Sequence, residues 1–441
     1  MEFFLTPDEE LEDKRITDFF DEEVLDSNFW TYWRTMFAFY NCNSALEMKL
    51  YMTRFIHHID GLPDLKALRF TKYNQYESMI LPMQKYLEDH GAQFHFNTEV
   101  LDVNFEFEGD RKRAISLLLR HDGKEETLDL GKNDYLFMTL GSNVENSSVG
   151  GQDKVCEYLP EIQEGGAFGL WRRIAKKDPS FGHPEKFYSH PEECKWMGVT
   201  VNTLDDKVLP YIEKITKRDP LSGRVVTGGI VTARDSGWLM SWTINRQPQF
   251  HSQPKDQVLV WLYGLTPDEK GDYIHKPMQD CTGREICEEW LYHIGVPTDQ
   301  IADLAENSCK TIPVMMPFAS SYFMPRAKGD RPDVVPEGAE NFAFLGEFAE
   351  TPRDTVFTTE YAMRTGMEAV YRLFDIDRGV PEVWGSQYDI RDLLKATVSL
   401  RDGRPLSEMH FSLPEKMALH AVLEKIEGTD IEKLLKEYHV L

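Results

Sequence analysis

The chain has 441 residues, 41% of them apolar and 28% charged, enough for two or three domains with a large core. Its net charge of −25 excludes the basic surface that nucleic-acid binding demands. No apolar run is long enough to span a bilayer, and the acidic start "MEFFLTPDEELEDKRITDFFDEEVL" lacks the form of a signal peptide. Six cysteines without a C-x-x-C pair suit reduced thiols, so the expected location is cytoplasmic.

Residues 1 to 63 read as helical, and "NSALEMKLYMTRFIHHIDGLP" sets Leu46, Leu50, Phe55 and Ile59 at helical spacing before Gly61 and Pro63. A second helix fits "YNQYESMILPMQKYLEDHG", stopped by Gly91. "AQFHFNTEVLDVNFEFEG" then alternates as a strand, and "RAISLLLRHDGKEETLDLG" reads as a hairpin turning on Asp122 and Gly123. The apolar run in "NDYLFMTLGS" predicts a continuous buried strand ending at Gly141. From 150 to 325, aromatic-rich stretches such as "GGIVTARDSGWLMSWTINRQPQFH" and "DQVLVWLYGL" predict a mostly antiparallel sheet, with "CTGREICEEWLYHIG" as a helix beside it.

Residues 341 to 370, "NFAFLGEFAETPRDTVFTTEYAMRTGMEAV", open with a short buried strand, Phe342 to Leu345, bounded by Gly346. A polar loop follows, with Asp354 or Thr355 as a cap. Next comes a helix whose Val356, Met363, Met367, Val370 and Phe374 share one face. A strand, a glycine and a helix N-terminus in that order make a cradle for phosphate or flavin. Such a cradle closes a dinucleotide-binding domain, yet the G-x-G turn that opens one occurs nowhere in the chain. The expected fold is therefore α/β: a Rossmann-like FAD-binding domain lacking its first βαβ unit, with an inserted α+β substrate domain. The boundaries expected are 1–150 and 326–395 for the FAD-binding parts, 151–325 for the substrate domain, and 396–441 for a C-terminal helical segment.

Several long blocks carry a resemblance. They include "YWRTMFAFYNCNSALEMKLYMTRFIHHIDGLP", "ALRFTKYNQYESMILP", "WLYHIGVP", "TKRDPLSGRVVTGGIVTARDSGWLMSWTINRQP", "PVMMPFASSYFMPRAKGDRPDVVP" and "AETPRDTVFTTEYAMRT". In these the chain closely resembles the oleate hydratase family, also called myosin-cross-reactive antigens. The resemblance implies an FAD-binding enzyme that adds water to the cis double bond of a free unsaturated fatty acid, oleate becoming the 10-hydroxy acid. It implies a homodimer, and C-terminal helices that touch membranes. Relatives carry the glycine-rich turn and a water-activating glutamate upstream of the position of Met1, so the chain reads as an N-terminally truncated member. A remnant that only binds fatty acid, and a flavin oxidoreductase of the amine-oxidase type, are the competing readings.

By the same resemblance the proton donor is Tyr51; Tyr73 and Tyr76 are rivals, and Tyr76 is also a substrate contact. From the residues alone Tyr51 is a core aromatic on a helix face. Thr243, Asn245 and Gln249 match the positions that hold the substrate carboxylate, and all three side chains can donate a hydrogen bond. Many relatives have histidine where Gln249 stands, so His251 or Arg246 is a substitute anchor. The flavin positions are Val100, Gly141, Ser142, Gly346, Glu347, Phe348, Thr355 and Thr358. No metal is expected: adjacent His57 and His58 point apart on a helix, and His190 with Cys194 lacks a second pair.

Overall fold

The computed structural model describes residues 2–61, 69–352, 354–355, 359–401 and 403–441. Pro63, Val356 and Thr358 lie outside them. Among the described residues no helix is long and apolar enough to cross a membrane.

Short helices α1 (Glu2–Leu5), α2 (Asp8–Leu11) and α3 (Glu22–Leu25) lead into α4 (Asn28–Phe37) and α5 (Ala45–Phe55). Ser27 and Ser44 cap the two longer helices, each hydroxyl accepting from a backbone N–H three residues on. The helical pattern through Ile59 survives only as a 3-10 turn, Ile56–Gly61. The second predicted helix starts as a π turn, Tyr76–Ile80, and settles into α6 (Leu81–Asp89).

Three sheets follow. Strands β1 (Thr98–Glu108), β2 (Arg111–His121) and β3 (Lys124–Asp129) form an antiparallel meander. Asp122 and Gly123 turn its second hairpin with φ of 46° and 79°, the left-handed pair that a tight two-residue turn requires. The largest sheet has the order β5-β10-β6-β9-β8-β7, and every pairing in it is antiparallel. Its strands are β5 (Ser148–Val149), β6 (Trp196–Thr203), β7 (Val231–Thr232), β8 (Met240–Thr243), β9 (Val258–Gly264) and β10 (Cys309–Met316). Helices α9 (Leu209–Thr216), α10 (Gly283–His293) and α11 (Thr298–Asn307) bury one face of it, where Val199, Val260 and Leu262 meet Ile212, Trp290 and Ile301. Between β5 and β6 the chain forms α7 (Ala167–Ile174) and α8 (Glu185–Tyr188), whose aromatics join a second core, with Trp30, Phe39 and Tyr51 of the N-terminal helical region.

The third sheet has two parallel strands, β4 (Leu136–Thr139) and β11 (Phe342–Leu345). β11 is buried as predicted, but β4 is not: Phe137 is 38% exposed, and of its four residues only Met138 is buried. Among the described residues β4 has one strand partner, so one of its edges and part of a face are open. Helix α12 (Thr359–Leu373) follows β11, and its buried face is Tyr361, Thr365 and Ala369. The predicted stripe is on the other side, with Met363 57% and Phe374 48% exposed. Small residues and a tyrosine let α12 approach β11 closely, while the larger apolar ones stay partly exposed, Phe374 against the Tyr135 ring at 4.4 Å. The chain ends in α13 (Ile390–Ser399), packed on the 56–61 turn, and in α14 (Leu413–Ile426) and α15 (Asp430–Glu437).

Candidate active site

Tyr51 lies fully buried on α5. Four phenylalanine rings surround it: Phe37, Phe39, Phe55 and Phe323, with ring centroids 5.5, 5.3, 5.8 and 5.1 Å from its own. They come from α4, the following turn, α5 and the loop after β10, so tertiary packing assembles the box. Tyr73 and Tyr76 take no part in it. Tyr73 stacks on His251 at 3.7 Å, and Tyr76 is 58% exposed at the start of the π turn.

One turn before Tyr51, sequence reasoning missed Glu47. Its carboxylate is fully buried and accepts from Arg326 Nε at 2.6 Å and from Thr355 Oγ1 at 2.6 Å, with Arg331 Nη1 at 3.3 Å. Arg326 also pairs with Glu350 at 3.0 Å, and the Arg331 guanidinium lies 3.8 Å over the Tyr322 ring. Burial alone would raise the Glu47 pKa; Arg331, Arg326 and the Thr355 hydroxyl outweigh it and hold the group below the ordinary carboxylate range. A glutamate flanked by the apolar Leu46 and Met48 was the available signal, since such a group is buried only when paired.

The residues expected to hold a carboxylate do come together. Thr243, Asn245 and Gln249 line one cavity of about 140 Å³ with Asn74, Thr200 and Trp261. Thr243 is buried, and its hydroxyl shares a hydrogen bond with Thr227 at 2.8 Å. The side-chain oxygen of Asn245 is buried and has no hydrogen-bond partner. Gln249 is already engaged: its side-chain NH2 donates to Arg246 O at 2.7 Å, and its backbone carbonyl accepts from the Asn74 side chain at 2.8 Å. His251 turns away to Glu77, which accepts from both its backbone N–H and its ring nitrogen at 3.0 Å. Neither His251 nor Arg246 lines the cavity, so its donors are neutral ones. Helix α4 stands between this sheet and the aromatic box: Tyr263 donates to Thr35 O at 2.6 Å, while Phe37 packs on Tyr51.

A family model described as the MCRA family matches residues 1–371. An oleate hydratase of Streptococcus pyogenes serotype M49 (strain NZ131) is 46% identical over 440 residues, covering 98% of this chain and 74% of that protein. A linoleate hydratase of Lactiplantibacillus plantarum is 31% identical over 422 residues, covering 90% and 73%. The chain belongs to the MCRA family.

The cradle this family is expected to use sits at the carboxyl ends of β4 and β11, where ligands bind in parallel sheets. Gly141 and Gly346 both take left-handed backbone, φ 62° and 83°, so the chain turns sharply after each strand. A Cβ on Gly141 would come within 2.7 Å of the Phe348 ring, so that glycine also serves packing. Glu347 accepts from Asn143 at 2.8 Å, and burial raises its pKa against the pull of Arg331. Phe348 lies in the core against Phe168, Trp171 and Phe187, and Thr355 is spent on Glu47 and Tyr322. Val100 sits on β1, in the meander rather than in the parallel pair. Gly141, Ser142, Gly346 and Glu347 are thus the expected flavin positions that face the strand ends.

His57 and His58 do not point apart as expected: in the tighter 3-10 turn Ile56–Gly61 their rings lie 3.8 Å from each other, tilted by 43°. Asp272, Glu289 and His293 have ligand atoms within 4.8 Å of one another, a grouping the sequence did not suggest. Both Glu289 oxygens are occupied, accepting backbone N–H groups of Asp272, Tyr273 and Ile274 at 2.7, 3.0 and 2.8 Å. The trio therefore holds a loop against α10.

Proposed function

We propose that this chain is a fatty acid hydratase that adds water across the cis double bond of free long-chain unsaturated acids such as oleate and linoleate. The observation that carries the reading is Tyr51, a buried acid inside four aromatic rings, in a chain of the MCRA family. An alkene is a poor base, and protonating it puts positive charge on carbon. Aromatic rings beside the tyrosine can stabilise such a charge, and exclusion of water strengthens the effect. The Tyr51 hydroxyl gives its proton to one alkene carbon, and the oxygen of water bonds to the other. The second proton of that water replaces the one Tyr51 gave, so the sum is one water added with no change of oxidation state. The cavity of Asn74, Thr243, Asn245 and Gln249 is the proposed carboxylate site, and its donors are neutral.

FAD is the proposed cofactor, held at the Gly141–Ser142 and Gly346–Glu347 turns. The left-handed turns at Gly141 and Gly346 would hold it through their backbone groups, since the space a Cβ would take at Gly141 is filled by Phe348 and Phe168, and the side chains of Phe348 and Thr355 are committed elsewhere. When bound, the flavin supplies a wall that shapes the site. The same reading divides the chain at 150, 325 and 395, makes it a homodimer, and gives α14 a peripheral membrane contact through exposed Leu413 and Met417.

The test is mass spectrometry of oleate incubated with the protein and FAD in ¹⁸O-labelled water. A product heavier by one labelled water, absent in Tyr51→Phe, is expected. Bound oleate that returns unchanged would overturn the reading in favour of a binding protein.

A further inference from the structure

Glu47, Tyr51 and Arg54 occupy positions i, i+4 and i+7 of α5, which is one face of a helix. Asp354 and Thr355, beyond β11, lie along that face and are gripped on both sides of the tyrosine. On one side Thr355 donates to Glu47 at 2.6 Å and takes a hydrogen bond from Tyr322 at 2.5 Å. On the other, Arg54 donates to Asp354 at 3.2 Å and to Glu360 at 2.6 Å. Arg364 of α12 pairs with the second Asp354 oxygen at 2.7 Å. Two consecutive residues, Asp354 and Thr355, are therefore tied to residues one turn before and one turn after Tyr51.

These ties are costly places to put charge. Glu47, Asp354 and Thr355 are all less than 5% exposed, and a buried ion pair gives little net stability compared with apolar packing of the same volume. What a hydrogen-bonded pair supplies and apolar packing does not is a fixed distance and register. Asp354 and Thr355 follow the Gly346–Glu347 turn, so the ties connect the tyrosine helix to the proposed flavin cradle.

The geometry points to Glu47 and Arg54 as positioning residues that hold Tyr51 at a set height against Asp354 and Thr355, making the helix and that pair one unit. This rests on Tyr51 being the proton donor. The ties act on the proton-transfer geometry and not on capture of the carboxylate, which occurs across α4 at the Thr243 cavity. Their loss then lowers kcat and spares KM.

The test uses Thr355→Val, which removes one tie and leaves the buried ion pairs intact, with Arg54→Met and Arg54→Lys. Thr355→Val and Arg54→Met are expected to lower kcat for oleate about 10- to 100-fold with KM within about twofold, and Arg54→Lys to recover most of the loss. A second readout needs no turnover: 3-fluorotyrosine labelling, with the Tyr51 ¹⁹F resonance assigned by Tyr51→Phe. That line is expected to shift or broaden in Thr355→Val and Arg54→Met while the Tyr263 line, in the large sheet, stays put. An unmoved Tyr51 line in both variants overturns the inference, as does a rise in KM that accounts for the whole loss. If Tyr51→Phe keeps full activity while the ¹⁹F line moves, the donor assignment fails and the mechanical tie stands.

Discussion

The six-stranded sheet and the parallel pair β4–β11 make opposite use of similar apolar sequence. In the large sheet, β6, β8 and β9 are antiparallel neighbours, and three helices seal the inner face with Trp290 fully buried beside Trp242 at 6.1 Å. Its outer face exposes single residues such as Ile312 and Trp261, as a solvated antiparallel sheet does. The parallel pair has the apolar composition of strands covered on both faces, yet Phe137, Met363 and Phe374 remain exposed around it. The antiparallel sheet carries its cover within its own connections, α9 between β6 and β7 and α10 with α11 between β9 and β10. Parallel strands depend on crossover helices from elsewhere in the chain, and the residues alone do not say which faces those helices reach.

The most severe way to break this comparison is inside the sealed core. Trp290→Ala should cost about 3–5 kcal/mol, read as a drop in the denaturant midpoint of the large-sheet signal. Glu289→Gln comes next. It weakens the hold on the backbone of residues 272–274 and should cost about 1.5–3 kcal/mol by the same measurement. Burial raises the Glu289 pKa, but His293 and the three amides outweigh it and hold the group below its ordinary value. Its contribution is therefore present at neutral pH and lost as the solution falls through that lowered value. Glu289→Gln should flatten the acid limb of the stability curve, and an unchanged limb would refute the assignment.

A smaller effect is expected where α13 meets the 56–61 turn. Burial, with the neighbouring His58 and Arg54 adding to it and Asp392 opposing, pushes His57 down to about 4. Between the ordinary histidine value of about 6.5 and that lowered one, the undocked state binds the proton and the docked state resists it. Acidification through this window should raise hydrogen exchange in α13, and His57→Gln should remove the dependence. The smallest change belongs to the open region: Met363→Gln should alter stability by less than about 0.5 kcal/mol. A loss of several times that amount would mean a partner covers this face in solution, and the contrast between the two regions would narrow.

How far the residues could be read follows the same division. The Asp122-Gly123 hairpin and the apolar Phe342–Leu345 strand were legible because each is set by a few neighbouring residues. The α12 stripe was misread. Its period was helical, but period identifies a face and not the side that is covered; Thr365 and Ala369 are buried because they let the helix sit close to β11. Long matching blocks, not chemistry, pointed to Tyr51 and to Thr243, Asn245 and Gln249. The last three do line one cavity, although Gln249 spends its amide on Arg246.

By itself the sequence determined the mixed α/β composition, the family and the helix that carries Tyr51, since local propensity and long matched blocks carry that information. Only the tertiary structure decided what surrounds the tyrosine. Phe323 and Thr355 lie about 270 and 300 residues downstream of it, and no local pattern marks which distant side chain closes a box or grips a carboxylate. Glu47 shows why: a buried charge is tolerable only where Arg326 and Arg331 arrive to meet it, and their arrival is a property of the fold.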